Sequence, residues 1–185
     1  MVILGIDIGG SGIKGALVDV GTGELISERY KVLTPSPATQ SAVVSAVVEV
    51  VQHFAWVGKI GCGFPGLVIN GLVRTAPNLN DALVGVDSQQ VLSAATGSDV
   101  TVLNDADTAG VAEMTFGVGR DQPGTVFMLT LGTGIGSAIF RDGDLVPNAE
   151  LGHLEVGGGR GGEVRLSPDP QGPETQLGGV GEKSV

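Results

Sequence analysis

The stretch IDIGGSGIKGAL (residues 6–17) returns in outline as LTLGTGIGSAI (residues 129–139): apolar strand, glycine-rich polar turn, returning apolar strand. Gly9 and Gly132 stand 123 residues apart, so the chain repeats a β-hairpin and is built from two related halves. The repeat decides how Gly10-x-Gly12-x-x-Gly15 is read. That spacing matches a dinucleotide-binding turn, but such a turn needs a helix starting inside it, so that the pyrophosphate meets a helix N-terminus. Here IKGALVDV alternates and is β-rich, which predicts a returning strand instead. A Walker A pattern does not occur either. Two glycine tips that face each other offer backbone N–H groups to phosphate oxygens from both sides, and a Cβ at the tip would hold the phosphate away.

Between the hairpins the pattern is mixed α/β. Residues 2–8, 13–20 and 25–33 predict a three-stranded meander. Ser36 and Pro37 supply an N-cap and a first helical residue, and Val44, Val47, Val48, Val51, Phe54 and Ala55 recur at helical spacing to about residue 56. KIGCGF (59–64) predicts a strand broken by Pro65-Gly66, and Asn70-Gly71 a tight hairpin. Asp87 and Gly97 mark the ends of a short helix. DVTVL (99–103) predicts a strand that turns directly into the helical NDADTAGVAEMTFG, and RDG (141–143) another hairpin.

A net charge of −10 with only ten Lys and Arg, thinly spread, argues against nucleic acid or an anionic membrane as partner. Any phosphate is then bound locally, by backbone and a metal. The single Cys62 excludes an intramolecular disulfide and a cysteine-rich zinc cluster, so no zinc is expected. The N-terminus lacks the basic flank of a signal peptide and no 18 apolar residues run together, so the expected location is cytoplasmic.

Asp7, at the end of its strand, is placed to hold Mg²⁺ through water beside the first turn, where Ser11, like Thr133 at the second, adds a hydroxyl donor. Asp105 follows a strand and precedes a helix, and so projects where open α/β sheets place their ligands. Capping the helix is the plainer role for an Asp here, and Asp107 is assigned to it.

Five stretches in order, DIGGSGIKGAL, GFPGLV…GLVRTAPNL, NDAD, LGTGIGSA and ELGH, resemble the sugar kinases of the actin/hexokinase/Hsp70 superfamily, and within it the ROK group. With no zinc-site cysteines, they look most like the actinobacterial polyphosphate/ATP-dependent glucokinases. The resemblance covers residues 3 to about 156 and implies an actin-like (ribonuclease H-like) two-domain α/β fold whose second domain is incomplete. It implies phosphoryl transfer from polyphosphate or ATP, with Mg²⁺, to the 6-hydroxyl of glucose. Asp105 would be the general base. Asp7, Gly9, Gly10, Ser11, Gly12, Lys14, Gly132, Thr133, Gly134 and Gly136 would bind phosphate, while Gly66, Asn78, Asn104, Glu150, His153 and Glu155 would join Asp105 around the sugar, Gly66 by leaving room for the ring.

The expected domains are residues 1–105, a partial second domain over 106–156, and a tail over 157–185 with nine Gly and three Pro in 29 residues, a composition that predicts disorder. Relatives continue after ELGH with helices, so a shifted reading frame or a truncation is the expectation for this ending. The second sheet would then lack covering helices, leaving apolar surface open to aggregation or to pairing as a homodimer. Two other readings stand beside the kinase: an inactive fragment that binds sugar weakly, and a sugar-binding ROK relative without kinase activity. A repressor of that group is disfavoured, because the first phosphate-loop strand begins at residue 2 with no DNA-binding segment ahead of it.

Overall fold

The computed structural model describes residues 1–77, 79–131, 134–153, 155–156 and 159–160, the side chains of the last five from His153 onward excepted. Asn78, Gly132, Thr133 and the tail beyond residue 160 lie outside the described residues. The first sheet holds six strands: β1 (Val2–Ile8), β2 (Ile13–Asp19), β3 (Glu24–Leu25), β4 (Tyr30–Val32), β5 (Ile60–Phe64) and β8 (Val100–Asn104). Its order is β3-β2-β1-β5-β8 with β4 also on β2; β1 runs antiparallel to β2 and parallel to β5, which runs parallel to β8. The glycine-rich turn at 9–12 therefore joins two antiparallel strands, and no helix starts inside it.

Alternation sets the two faces of this sheet. Leu4, Ile6 and Ile8 of β1 and Ile60, Cys62 and Phe64 of β5 enter the core, each apolar side chain of this size contributing about 1.5–3 kcal/mol when fully buried. Helix α1 (Gln40–His53) covers them with Val43, Ala46, Val47, Val50 and Val51. A Cβ at Gly15 would come within 2.4 Å of Val50 Cγ1, so the last glycine of the GxGxxG spacing is there for helix-on-sheet contact. Helix α2 (Ser88–Thr96) starts on Asp87, whose side chain accepts from Gln90 N–H, and ends on left-handed Gly97, as its residues predict.

Two local expectations are corrected. Helix α1 is capped by Thr39, not Ser36, because the Thr39 side chain accepts the Ala42 N–H at 3.3 Å; Pro37 lies outside the helix, and left-handed Ala55 stops it after His53. The strand expected over 25–33 is split into β3 and β4, because Ser27 Oγ takes the Leu17 N–H at 2.9 Å in place of a strand partner.

The hairpin β6 (Val68–Ile69) and β7 (Leu72–Val73) turns on Asn70 and Gly71, both with positive φ, as expected of a primed turn. Helix α3 (Asp105–Phe116) leads from β8 to the second sheet, where β9 (Thr125–Leu131), β10 (Ile135–Arg141) and β11 (Asp144–Val146) pair antiparallel. Asp142 and Gly143 make the predicted turn. Gly110 lets α3 close on β10, since a Cβ there would stand 2.7 Å from Ala138 Cβ and 2.8 Å from the Phe140 ring. The opposite face of this sheet carries Phe127, Leu129 and Leu131 at 60, 59 and 81 % exposure. A two-strand hairpin, β12 (Glu155–Val156) with β13 (Gly159–Arg160), crosses the boundary placed at residue 157.

Candidate functional site

The first turn of α3 packs against β10 of the second hairpin, and Asp105 within it feels the charge of Asp7 on β1 of the first. Asp7, on the face of β1 turned from the core, sits in register with Gly63 of β5. A Cβ at Gly63 would lie 3.6 Å from Asp105 Cα, an ordinary contact distance, so the start of α3 rests against β5 beside Asp7. One residue on, Ala106 Cβ would stand 3.0 Å from a Cβ at Gly136, two positions past Gly134 in the second hairpin. Gly134 itself has open space around it. In the first turn Gly9 N–H donates to Gly12 O at 3.1 Å, and Gly10 and Ser11 are exposed.

Charges line up across the first hairpin. Lys14, directly opposite Asp7, places its Nζ 3.2 Å from Asp7 Oδ2, and Lys31 of β4 pairs with Lys14 in turn. Lys31 Cε would be 2.2 Å from a Cβ at Gly12, so this side chain lies over the turn. The Asp105 carboxyl accepts the Ala106 N–H at 2.8 Å. Burial raises its pKa above the ordinary value; the Ala106 N–H opposes the rise and repulsion from Asp7 adds to it. Cys62, below the same strand ends, is no nucleophile: burial, then Asp7, pushes its thiol up to about 12.

Asn104 caps α3, its Oδ1 accepting the Asp107 N–H at 2.9 Å. The capping role expected of Asp107 therefore belongs to Asn104, which precedes the helix while Asp107 is already in its first turn. Asp107 is buried, accepts the Asn148 N–H at 2.7 Å, and is raised in pKa by burial against that bond. Asn104 Nδ2 donates to Gly66 O at 3.1 Å and to Glu150 Oε1 at 2.8 Å. Both amide hydrogens are thus committed within the chain, tying Gly66 and Glu150 to the start of α3. Gly66 has a structural reason of its own: a Cβ would fall 2.1 Å from Thr75 O, so the space expected for a ring is taken by backbone.

The ELGH segment docks on β10. Leu151 N–H donates to Ser137 Oγ at 2.9 Å, Ser137 Oγ donates to Ala149 O, and a Cβ at Gly152 would collide with Ile135 O. His153 ends a short 3₁₀ turn and Glu155 lies in β12; both side chains, like Asn78, Gly132 and Thr133, lie outside the described residues. The sequence reading missed Asn148 and Lys31. Pro147-Asn148 is a turn signal that could have flagged the first. Nothing local in KVL flags Lys31, whose place depends on the register of β4 on β2.

An actin-like α/β fold whose carboxylate-bearing helix start abuts β10 of one hairpin and lies within charge range of Asp7 on the other defines the class. The chain belongs to the ROK family, which it matches over residues 3–183. It is 53% identical over 155 residues to a polyphosphate glucokinase of Mycobacterium tuberculosis, covering 83% of this chain and 58% of that protein. Among solved structures it resembles an inorganic polyphosphate/ATP-glucomannokinase from Arthrobacter (TM-score 0.84, 46% identity, 87% of this chain and 66% of that one). It also resembles a ROK glucokinase of Streptomyces griseus bound to glucose and AMPPNP (TM-score 0.75, 32% identity, 84% and 51%). The chain thus spans about half the length of the curated relatives it matches.

Proposed function

We propose that this chain encodes the catalytic face of a sugar kinase that transfers a phosphoryl group from polyphosphate or ATP to the 6-hydroxyl of glucose. The observation that carries the reading is the start of α3, where Asp105 lies within charge range of Asp7 on the first hairpin and Ala106 abuts Gly136 of the second, beside the Asn104–Glu150–Gly66 cluster. Asp105 takes the proton of the glucose hydroxyl as that oxygen bonds to the terminal phosphorus; the bond to the bridging oxygen breaks, and the shortened polyphosphate or ADP leaves with its electron pair. A carboxyl raised above its ordinary pKa is better matched to accept that proton than an ordinary Asp. Phosphoryl transfer otherwise asks for positioning and charge neutralisation. Asn104 positions Glu150 toward the sugar, and the exposed Gly10 and Ser11 of the first turn face the donor.

The donor set fits Mg²⁺. Asp7 offers a hard carboxylate oxygen, and a cation held there would relieve its repulsion of Asp105. Among the described residues no cluster of three or more metal-binding side chains exists, so the ion would be held by Asp7, water and phosphate oxygens. When bound, Mg²⁺ neutralises charge on the transferring phosphates. No helix among the described residues is long and apolar enough to cross a membrane, in keeping with small-molecule partners.

Sugar binding without turnover is the second reading. A coupled glucose 6-phosphate assay with polyphosphate and with ATP separates the two. Product with either donor supports the kinase; glucose uptake in calorimetry with no product from either supports binding alone.

A further inference from the structure

The contacts around Asn104 close into a ring. Asn104 Oδ1 accepts from Asp107 N–H, and Asp107 Oδ2 accepts from Asn148 N–H at 2.7 Å. The Asn148 side chain then bonds both backbone groups of Val68: its Oδ1 accepts the N–H at 3.1 Å and its Nδ2 donates to the carbonyl at 3.0 Å. Two residues before Val68, Gly66 O accepts from Asn104 Nδ2 and completes the circuit. The members come from three distant stretches: the 66–68 turn, the start of α3 and the loop that carries Glu150.

Two features of the ring are costly. Asp107 is 1% exposed, and its Oδ1 has no hydrogen-bond partner among the described residues. Asn148 holds φ at 60°, a left-handed backbone that Asn tolerates better than most residues. Helix capping does not explain the buried carboxyl, because Asn104 already caps α3. An apolar residue at 107 would spare the desolvation but leave the Asn148 N–H unmatched.

We infer that Asp107 and Asn148 are positioning residues, which clamp the 66–68 turn and the 148–150 loop onto the first turn of α3 and so fix Glu150 relative to Asp105. The inference rests on the sugar-kinase reading for what the clamp serves, and on these bonds alone for the clamp itself. Neither side chain needs to touch sugar or phosphate.

The test uses the full chain with Asn148→Gly, which keeps the positive φ at no strain while removing the amide, and with Asp107→Ala and Asp107→Asn. Glucose affinity is read by calorimetry and amide exchange is followed at residues 150–152. Asn148→Gly and Asp107→Ala are each expected to weaken glucose binding about tenfold, the scale of two neutral hydrogen bonds lost in the first and of one to a charged group lost in the second, and to speed exchange at 150–152. Asp107→Asn, whose amide oxygen still accepts, restores most of what Asp107→Ala loses. Asp87→Ala, which removes the cap of α2, lowers the melting temperature without moving glucose affinity. Should Asp107→Ala fail to fold, Asn148→Gly carries the test. Unchanged glucose affinity in Asn148→Gly, or equal damage from Asp107→Asn and Asp107→Ala, overturns the inference. If the unmodified chain takes up no glucose, the kinase reading fails separately, and unchanged exchange in Asn148→Gly then overturns the clamp.

Discussion

Asn104 donates from Nδ2 to Glu150 Oε1 at 2.8 Å, joining the end of β8 to a loop 46 residues further along the chain. The same side chain caps α3 and holds Gly66 O. Replacing it removes one cap and two buried bonds at once. Asn104→Ala is expected to cost about 2–4 kcal/mol, more than a cap alone, because Glu150 and Gly66 also lose a partner. Urea unfolding checks this; a loss near 1 kcal/mol would mean that only the cap matters.

Asp105 carries a stability cost that follows from its place. Its folded pKa lies above its unfolded one, the net result of burial, the opposing Ala106 N–H and repulsion from Asp7. The folded state therefore holds the proton more tightly, and the cost appears as pH rises through the folded value. Asp105→Asn is expected to raise the melting temperature at pH 7 by about 1–3 °C, a gain that vanishes near pH 3 where the carboxyl is protonated in both states. Melts at the two pH values decide it; an equal gain at both contradicts an origin in the carboxylate charge.

Gly110 is where α3 meets the second sheet. Gly110→Val would drive methyl groups into Ala138 and Phe140, both buried, at a cost of about 1–3 kcal/mol or more. Denaturant unfolding measures it, and a neutral substitution would mean that α3 and β10 are not in contact.

Lys31 lies over the first glycine turn while Lys14 is engaged by Asp7. Lys31→Gln is expected to raise the KM for polyphosphate about 3–10-fold with that for glucose unchanged, the scale of one exposed charge pair. Steady-state kinetics with each substrate varied reports it; an altered glucose KM alone would place Lys31 elsewhere in the mechanism.

Much of this was legible from residues. Alternation in IKGALVDV settles β2 as a strand and excludes a dinucleotide fold, and Asp87, Gly97, Asn70-Gly71 and Asp142-Gly143 act as their chemistry predicts. The misses share a cause. Thr39 displaces Ser36 as a cap, and Ser27 interrupts a strand, through single side-chain bonds that periodicity does not register. Asn104 rather than Asp107 caps α3 because the helix starts one residue after Asn104, below the precision of a sequence boundary. Gly66 and Asn148 depend on Thr75 and Val68, partners that only the folded chain brings together.

The most direct test of the account is a paired measurement of glucose binding and glucose 6-phosphate formation in the unmodified chain and in Asp105→Asn. The account predicts that both bind glucose and that turnover falls about 10²–10⁴-fold in the variant, the usual contribution of a general base. Equal turnover in the two proteins would contradict it.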